Sequence, residues 1–125
     1  MVIASTFQTP GFCPVEHNPQ FKCAFITHSP QYTYGAVAEM KQHNDSDEVF
    51  VLLAGNATLL TCEELGKEPV KTPLCPNTAY NVKQGTWHYL AVSEDAVVFV
   101  AESGSMKPQN TKTVKVNYFL SAAHG

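Results

Sequence analysis

Two runs of this chain are apolar at every position: Val49-Phe50-Val51-Leu52-Leu53 and Val97-Val98-Phe99-Val100. Successive side chains of a strand point to opposite faces, so such runs must be covered on both. A barrel or sandwich interior covers one face, and a second sheet or a partner subunit covers the other. Similar short segments recur along the chain. Candidate strands are Lys22–Thr27, Ala36–His43, Glu48–Leu53, Ala57–Cys62, Val70–Pro73, Ala79–Val82, Tyr89–Val92, Ala96–Glu102 and Thr113–Tyr118. Val, Phe, Tyr and Thr dominate them, and turn residues separate them at short intervals. Gly55-Asn56 reads as the tight turn of a hairpin, and Ser93-Glu94-Asp95 as a similar one. No segment keeps a 3.6-residue period for ten positions, and only a short turn near Cys62–Gly66 interrupts the pattern. The expected fold is all-β, a jelly roll of eight or so strands.

A length of 125 residues suits one domain, residues 1–125, large enough to bury a core without staples. Residues 1–20, rich in Pro, Phe and Gln, read as an N-terminal arm that packs across the domain or reaches a partner. The segment from Ser103 to Asn110 reads as a long loop before the last strand. A homodimer is the expected way to cover a remaining apolar outer face.

Net charge near −3 gives no electrostatic reason to bind nucleic acid. No run approaches the roughly 18 apolar residues needed to cross a bilayer. The first seven residues lack the basic and apolar regions of a secretory signal. Cys13, Cys23, Cys62 and Cys75 form no Cys-x-x-Cys pair, so they read as reduced thiols of a cytoplasmic protein rather than disulfides or zinc ligands.

The chemistry concentrates at His43, Glu48 and His88. His43 and Glu48 are an odd number of positions apart, and one unbroken strand would point them to opposite faces. The Asn44-Asp45-Ser46-Asp47 quartet between them is turn chemistry. As a hairpin loop it would set the two residues opposite each other on one face. His88 follows a Gly85-Thr86-Trp87 turn and opens an inward row with Leu90 and Val92. Two imidazoles and a carboxylate form a donor set for a divalent transition metal that leaves positions open for a substrate. Lys41 and Glu39 share the inward face of His43. Lys41 either snorkels outward, paired with Glu39 or Glu48, or serves the site. In the second role it clamps a substrate carboxylate or acts as an amine of lowered pKa. Tyr80, Trp87 and Tyr89 read as packing residues, His28 as a surface histidine near the cavity mouth, and His17 and His124 as chemically idle.

The spacing of these residues resembles the cupin superfamily. The first cupin motif runs Gly, five residues, His-x-His, three or four residues, Glu, six residues, Gly. Here it reads Gly35, five residues, Lys41-Gln42-His43, four residues, Glu48, six residues, Gly55, with Lys41 in place of the first histidine. The second motif is carried by Gly85-Thr86-Trp87-His88, with Val92 where the family has Asn. The Gly-Thr-Trp-His piece is also similar to ureidoglycolate lyases. The resemblance implies a double-stranded β-helix, usually dimeric, with His43, Glu48 and His88 as metal ligands (Zn, Mn, Fe or Ni) and no organic cofactor. Lys41 leaves three ligands where the family commonly has four. Two functions are open at this point. One is a metal-dependent lyase or isomerase acting on a small carboxylated metabolite, a sugar acid or ureido acid, with Lys41 as a catalytic residue. The other is a metal-free module that holds a small ligand or mediates dimeric interaction.

Overall fold

Two five-stranded antiparallel sheets face each other across an apolar interior. The structure, a computed structural model, describes residues 1–15, 18–35, 38–104 and 110–116. Its strands are β1 (Phe12–Pro14), β2 (Phe21–Thr27), β3 (Ala38–His43), β4 (Glu48–Ala54), β5 (Ala57–Cys62), β6 (Val70–Pro73), β7 (Ala79–Val82), β8 (Trp87–Val92), β9 (Val97–Ser103) and β10 (Thr111–Val116). The first sheet has the order β1-β2-β9-β4-β7 and the second β10-β3-β8-β5-β6. This is the all-β jelly roll read from the sequence. The expected start of β3 at Ala36, the end of β10 at Tyr118, and His17 and His124 lie outside the described residues.

Alternation along the strands builds the interior. Ile26, Phe50, Leu52 and Val98 of the first sheet meet Leu59, Leu90 and Val92 of the second, and all are buried. Each such side chain contributes about 1.5–3 kcal/mol when removed from water. On β8 every residue is buried, because the outer face of its sheet carries a second cluster of Met40, Leu60, Trp87, Tyr89 and Ala91. Tyr34 and Leu65 pack against that cluster, so this chain covers both faces of β8 itself. The outer face of the first sheet is covered less fully. Phe7 of the arm packs on Phe25, which meets Phe99 edge-on, while Leu53 is 54% exposed. The arm also contributes β1, an edge strand paired with β2, which the sequence pattern did not reveal.

The structure corrects the hairpin readings. β3 and β4 lie in different sheets, as do β4 and β5, and β8 and β9. The turns at 44–47, Gly55-Asn56 and 93–95 are therefore corners that carry the chain between sheets. Turn chemistry sets where the chain reverses; it does not set which sheet receives the next strand, and two-sided apolar runs gain more from the crossing. β5 and β6 are the consecutive strands that pair within the second sheet, as β1 and β2 do within the first. Among the described residues no helix is long and apolar enough to cross a membrane.

Two of these corners pack against each other at Gly55, whose φ is +70°. A Cβ there would lie 2.6 Å from Ala96 Cα and 2.7 Å from Ala96 N, both backbone atoms. Gly85 has a similar φ of +84° but open space around it. Gly55→Ala should therefore cost about 3 kcal/mol from the left-handed backbone and overpacking together, lowering Tm by roughly 10 °C. Gly85→Ala should cost only about 1 kcal/mol from the backbone term. Thermal unfolding of both variants checks this, and equal losses would refute the corner contact.

Candidate metal centre

The two sequence pieces that carry His43 and His88 are tied together through the backbone. Gly85 N donates to the His43 carbonyl at 2.9 Å, and Gln42 Nε2 donates to the Gly85 carbonyl at 2.9 Å. Gln84 Nε2 donates to the Asn44 carbonyl at 2.7 Å. Asp47 closes the corner, accepting from Gln84 N at 2.8 Å and Asn81 Nδ2 at 3.2 Å, with Lys83 Nζ 3.1 Å away. The Gln84 amide, followed by Lys83, holds the Asp47 carboxyl below the usual carboxylate range. Asp45 accepts from Asn110 Nδ2 at 2.8 Å. These aspartates thus do more than favour a turn: they pin the corner to the loops on either side.

The corner places His43, on β3, across the interior gap from Glu48, on β4. The two face each other between sheets rather than across an antiparallel pair, yet the expected convergence results. His43 Nε2 is 3.9 Å and His88 Nε2 3.1 Å from Glu48 Oε1. The two imidazole centroids are 5.1 Å apart, and one donor atom from each of the three residues lies within 4.8 Å of the others. Glu48 and His88 are buried, at 7% and 6% exposure. Each imidazole is held from behind. His43 Nδ1 bonds Thr111 Oγ1 at 2.9 Å, and His88 Nδ1 donates to the Thr86 carbonyl at 3.1 Å. A carbonyl only accepts, so His88 Nδ1 carries the hydrogen, and in the neutral ring Nε2 is a bare lone pair. That lone pair faces a carboxylate oxygen, an arrangement that requires a proton or a cation between them. Backing of the ring from its other nitrogen is what metal-binding histidines need.

Strand order adds a residue that the motif spacing could not reveal. Glu102 on β9 is the register partner of Glu48 on β4 and lines the same cavity. Burial, then hydrogen bonding to Glu48 and the Glu48 charge, push the Glu102 carboxyl up to about 8. Burial also pushes Glu48 upward, but the His88 hydrogen bond, the Glu102 hydrogen bond and the charges of His88 and His43 outweigh it, leaving Glu48 below its usual value. Burial lowers the His43 pKa, opposed by Glu48 and reinforced by His88 and Lys41, so this imidazole tends to stay neutral. Glu102 Oε2 is buried without a hydrogen-bond donor among the described residues. Directly opposed carboxylates are unfavourable in a sheet unless a proton or cation relieves them. The donor set, the facing acceptors and this orphaned oxygen together fit a divalent cation.

Lys41 is the cross-strand partner of His88, and its side chain lines the cavity as expected. Among the described residues no carboxylate is in ion-pair contact with it, so the pairing with Glu39 or Glu48 considered from sequence is not formed. The cavity is about 310 Å³, within the range of small-ligand sites. Phe12, Gln31 and Tyr32 also line it; they come from the arm and from a 3₁₀ turn at Pro30–Tyr32 that no sequence period marks. Trp87 lies in the outer cluster, and Tyr89 donates its hydroxyl to the Thr33 carbonyl. Tyr80 accepts from Cys75 N. His28 lies outside the cavity, 3.2 Å from Thr33 Oγ1.

No protein-family model and no curated protein sequence matches the chain. Solved structures do. KdgF from a Halomonas species superposes with a TM-score of 0.57 at 21% identity, over 78% of this chain and 81% of its own. A 3,4-ketoisomerase from Helicobacter canadensis gives 0.58 at 17% identity, over 72% and 65%. A cupin-2 domain containing protein from Shewanella frigidimarina gives 0.53 at 14% identity, over 78% and 84%. With two facing antiparallel sheets, this chain shares the barrel fold of these structures, a cupin-2 domain protein among them.

Proposed function

We propose that this protein is a metal-dependent lyase or isomerase acting on a small carboxylated metabolite. The observation that carries the reading is the convergence of His43 Nε2, Glu48 Oε1 and His88 Nε2 on one point of a ligand-sized cavity. These three residues would hold the cation, which supplies Lewis acidity toward a substrate carbonyl or hydroxyl when bound. The Helicobacter canadensis neighbour named a 3,4-ketoisomerase shares only the fold, but it is in keeping with an isomerase. Thr111 and Thr86 hold the two imidazoles in orientation. Lys41 presents an ammonium to the same cavity without an ion-pair partner among the described residues. That makes it the group to orient a substrate carboxylate or to move a proton next to it. The apolar outer face of the first sheet, with Phe25, Phe99 and Leu53, would suit a second copy of the chain.

Elemental analysis of protein purified without chelators or added metal should find about one transition-metal ion per chain, and His88→Ala should lose it. A metal-free wild type that still binds small acids would instead favour the non-catalytic binding module. Lys41→Gln should weaken binding of small organic acids by roughly ten- to a hundredfold, the usual size of a charge-assisted contact. Its metal affinity should stay the same or rise, because a positive charge beside the cation is gone. Titration calorimetry with acid and with metal separates the two effects, and unchanged acid affinity would remove Lys41 from the substrate site.

A further inference from the structure

The cavity is lined by two kinds of side chain. Glu48, His88 and Glu102 give it a polar side, whereas Phe12 from β1 and Tyr32 from the 3₁₀ turn give it an aromatic one. Phe12 is paired in register with Ile26, so both side chains stand on the inner face of the first sheet. Ile26 is only 3% exposed, but Phe12 is 45% exposed. The ring belongs to a segment held in place rather than to a loose arm. Thr27 N donates to the Gly11 carbonyl at 3.1 Å, and Tyr32 N to the Ser29 carbonyl at 3.0 Å. Gly11, at φ +86°, sits so close to the 3₁₀ turn that a Cβ there would lie 3.0 Å from Ser29 Oγ and 3.4 Å from Gln31 Nε2. Phe12, Gln31 and Tyr32 therefore form one pre-positioned rim.

A ligand that complements this cavity needs three properties. It needs an anionic group for the Lys41 ammonium. It needs hydroxyl donors, because Glu39 and Glu48 present acceptors to the cavity. It also needs a flat face without charge to cover the Phe12 ring. The C–H face of a pyranose is apolar and weakly positive, and it suits the negative face of an aromatic ring. An open-chain ureido acid supplies an anion and N–H donors, but its flat part is a small polar ureido plane with no C–H face. We infer that the ligand of this cavity is a cyclic sugar acid, its carboxylate directed to Lys41 and its ring lying on Phe12, which makes Phe12 a specificity-determining residue. The inference rests on the reading of the cavity as a site for a small acid, and it stands whether or not the metal is present.

Calorimetric titration of the full chain with D-galacturonate, D-galactose and N-carbamoylglycine tests it, using wild type, Phe12→Ala, Phe12→Leu and Lys41→Gln. Galacturonate should bind at least tenfold more tightly than either the neutral sugar or the ureido acid. Phe12→Ala should weaken galacturonate about tenfold, the scale of one aromatic contact, and leave N-carbamoylglycine unchanged. Phe12→Leu keeps the apolar volume without the flat face and should lose nearly as much, so a folding defect in the alanine variant cannot mimic the result. Equal binding of the two acids, unchanged galacturonate affinity in both Phe12 variants, or no binding of any probe overturns the inference. Metal content measured on the same samples separates the readings: a metal-free protein with selective galacturonate binding sinks the metal-dependent enzyme alone.

Discussion

The site depends on a set of hydrogen bonds that join two distant pieces of chain. Gly85 N to the His43 carbonyl, Gln42 to the Gly85 carbonyl and Gln84 to Asp47 fix the corner at 44–47 against the turn that leads into β8. With those bonds formed, His43 and His88 must approach, because the pleat of β3 and β8 points both inward. Glu48 then meets them as the first residue of a strand in the opposite sheet. The convergence is a consequence of backbone ties, so loss of one imidazole should leave the cavity wall standing. Buried backbone groups at the corner find partners in the same ties, which makes the corner part of the fold as well as of the site.

Such a cavity is costly to fold. Two carboxyl groups stand in register on adjacent strands, and an imidazole nitrogen stands 3.1 Å from one of them. An apolar row in the same place would stabilise the barrel, as Phe50–Val100 does one step further along the same strands. Ionisable groups gathered this closely in a buried cavity are characteristic of functional sites. The interior below them, with Ile26, Leu52, Leu59, Leu90, Val92 and Val98, offsets that cost and keeps the walls rigid.

Much of this was legible before any coordinates. The two-sided apolar runs required a closed pair of sheets, and the spacing of His43, Glu48 and His88 announced a shared cavity. The inward row of Glu39, Lys41 and His43 followed from period-two alternation. What could not be read was sheet membership. The corners at 44–47, Gly55-Asn56 and 93–95 carry the same residues as hairpin turns, and only long-range packing decides between the two. Glu102 was hidden for that reason, since its contact with Glu48 depends on β9 lying beside β4. Phe12, Gln31 and Tyr32 were hidden for another: three-residue elements have no period to detect.

The central claim is that two imidazoles and a carboxylate close on a single cation. Crystals grown with a transition-metal salt, with anomalous diffraction recorded on both sides of that metal's absorption edge, address it directly. The account predicts one strong anomalous peak bounded by His43 Nε2, Glu48 Oε1 and His88 Nε2, at about 2.0–2.2 Å from each. A peak elsewhere, or an ordered water with no anomalous signal at that point, would contradict it.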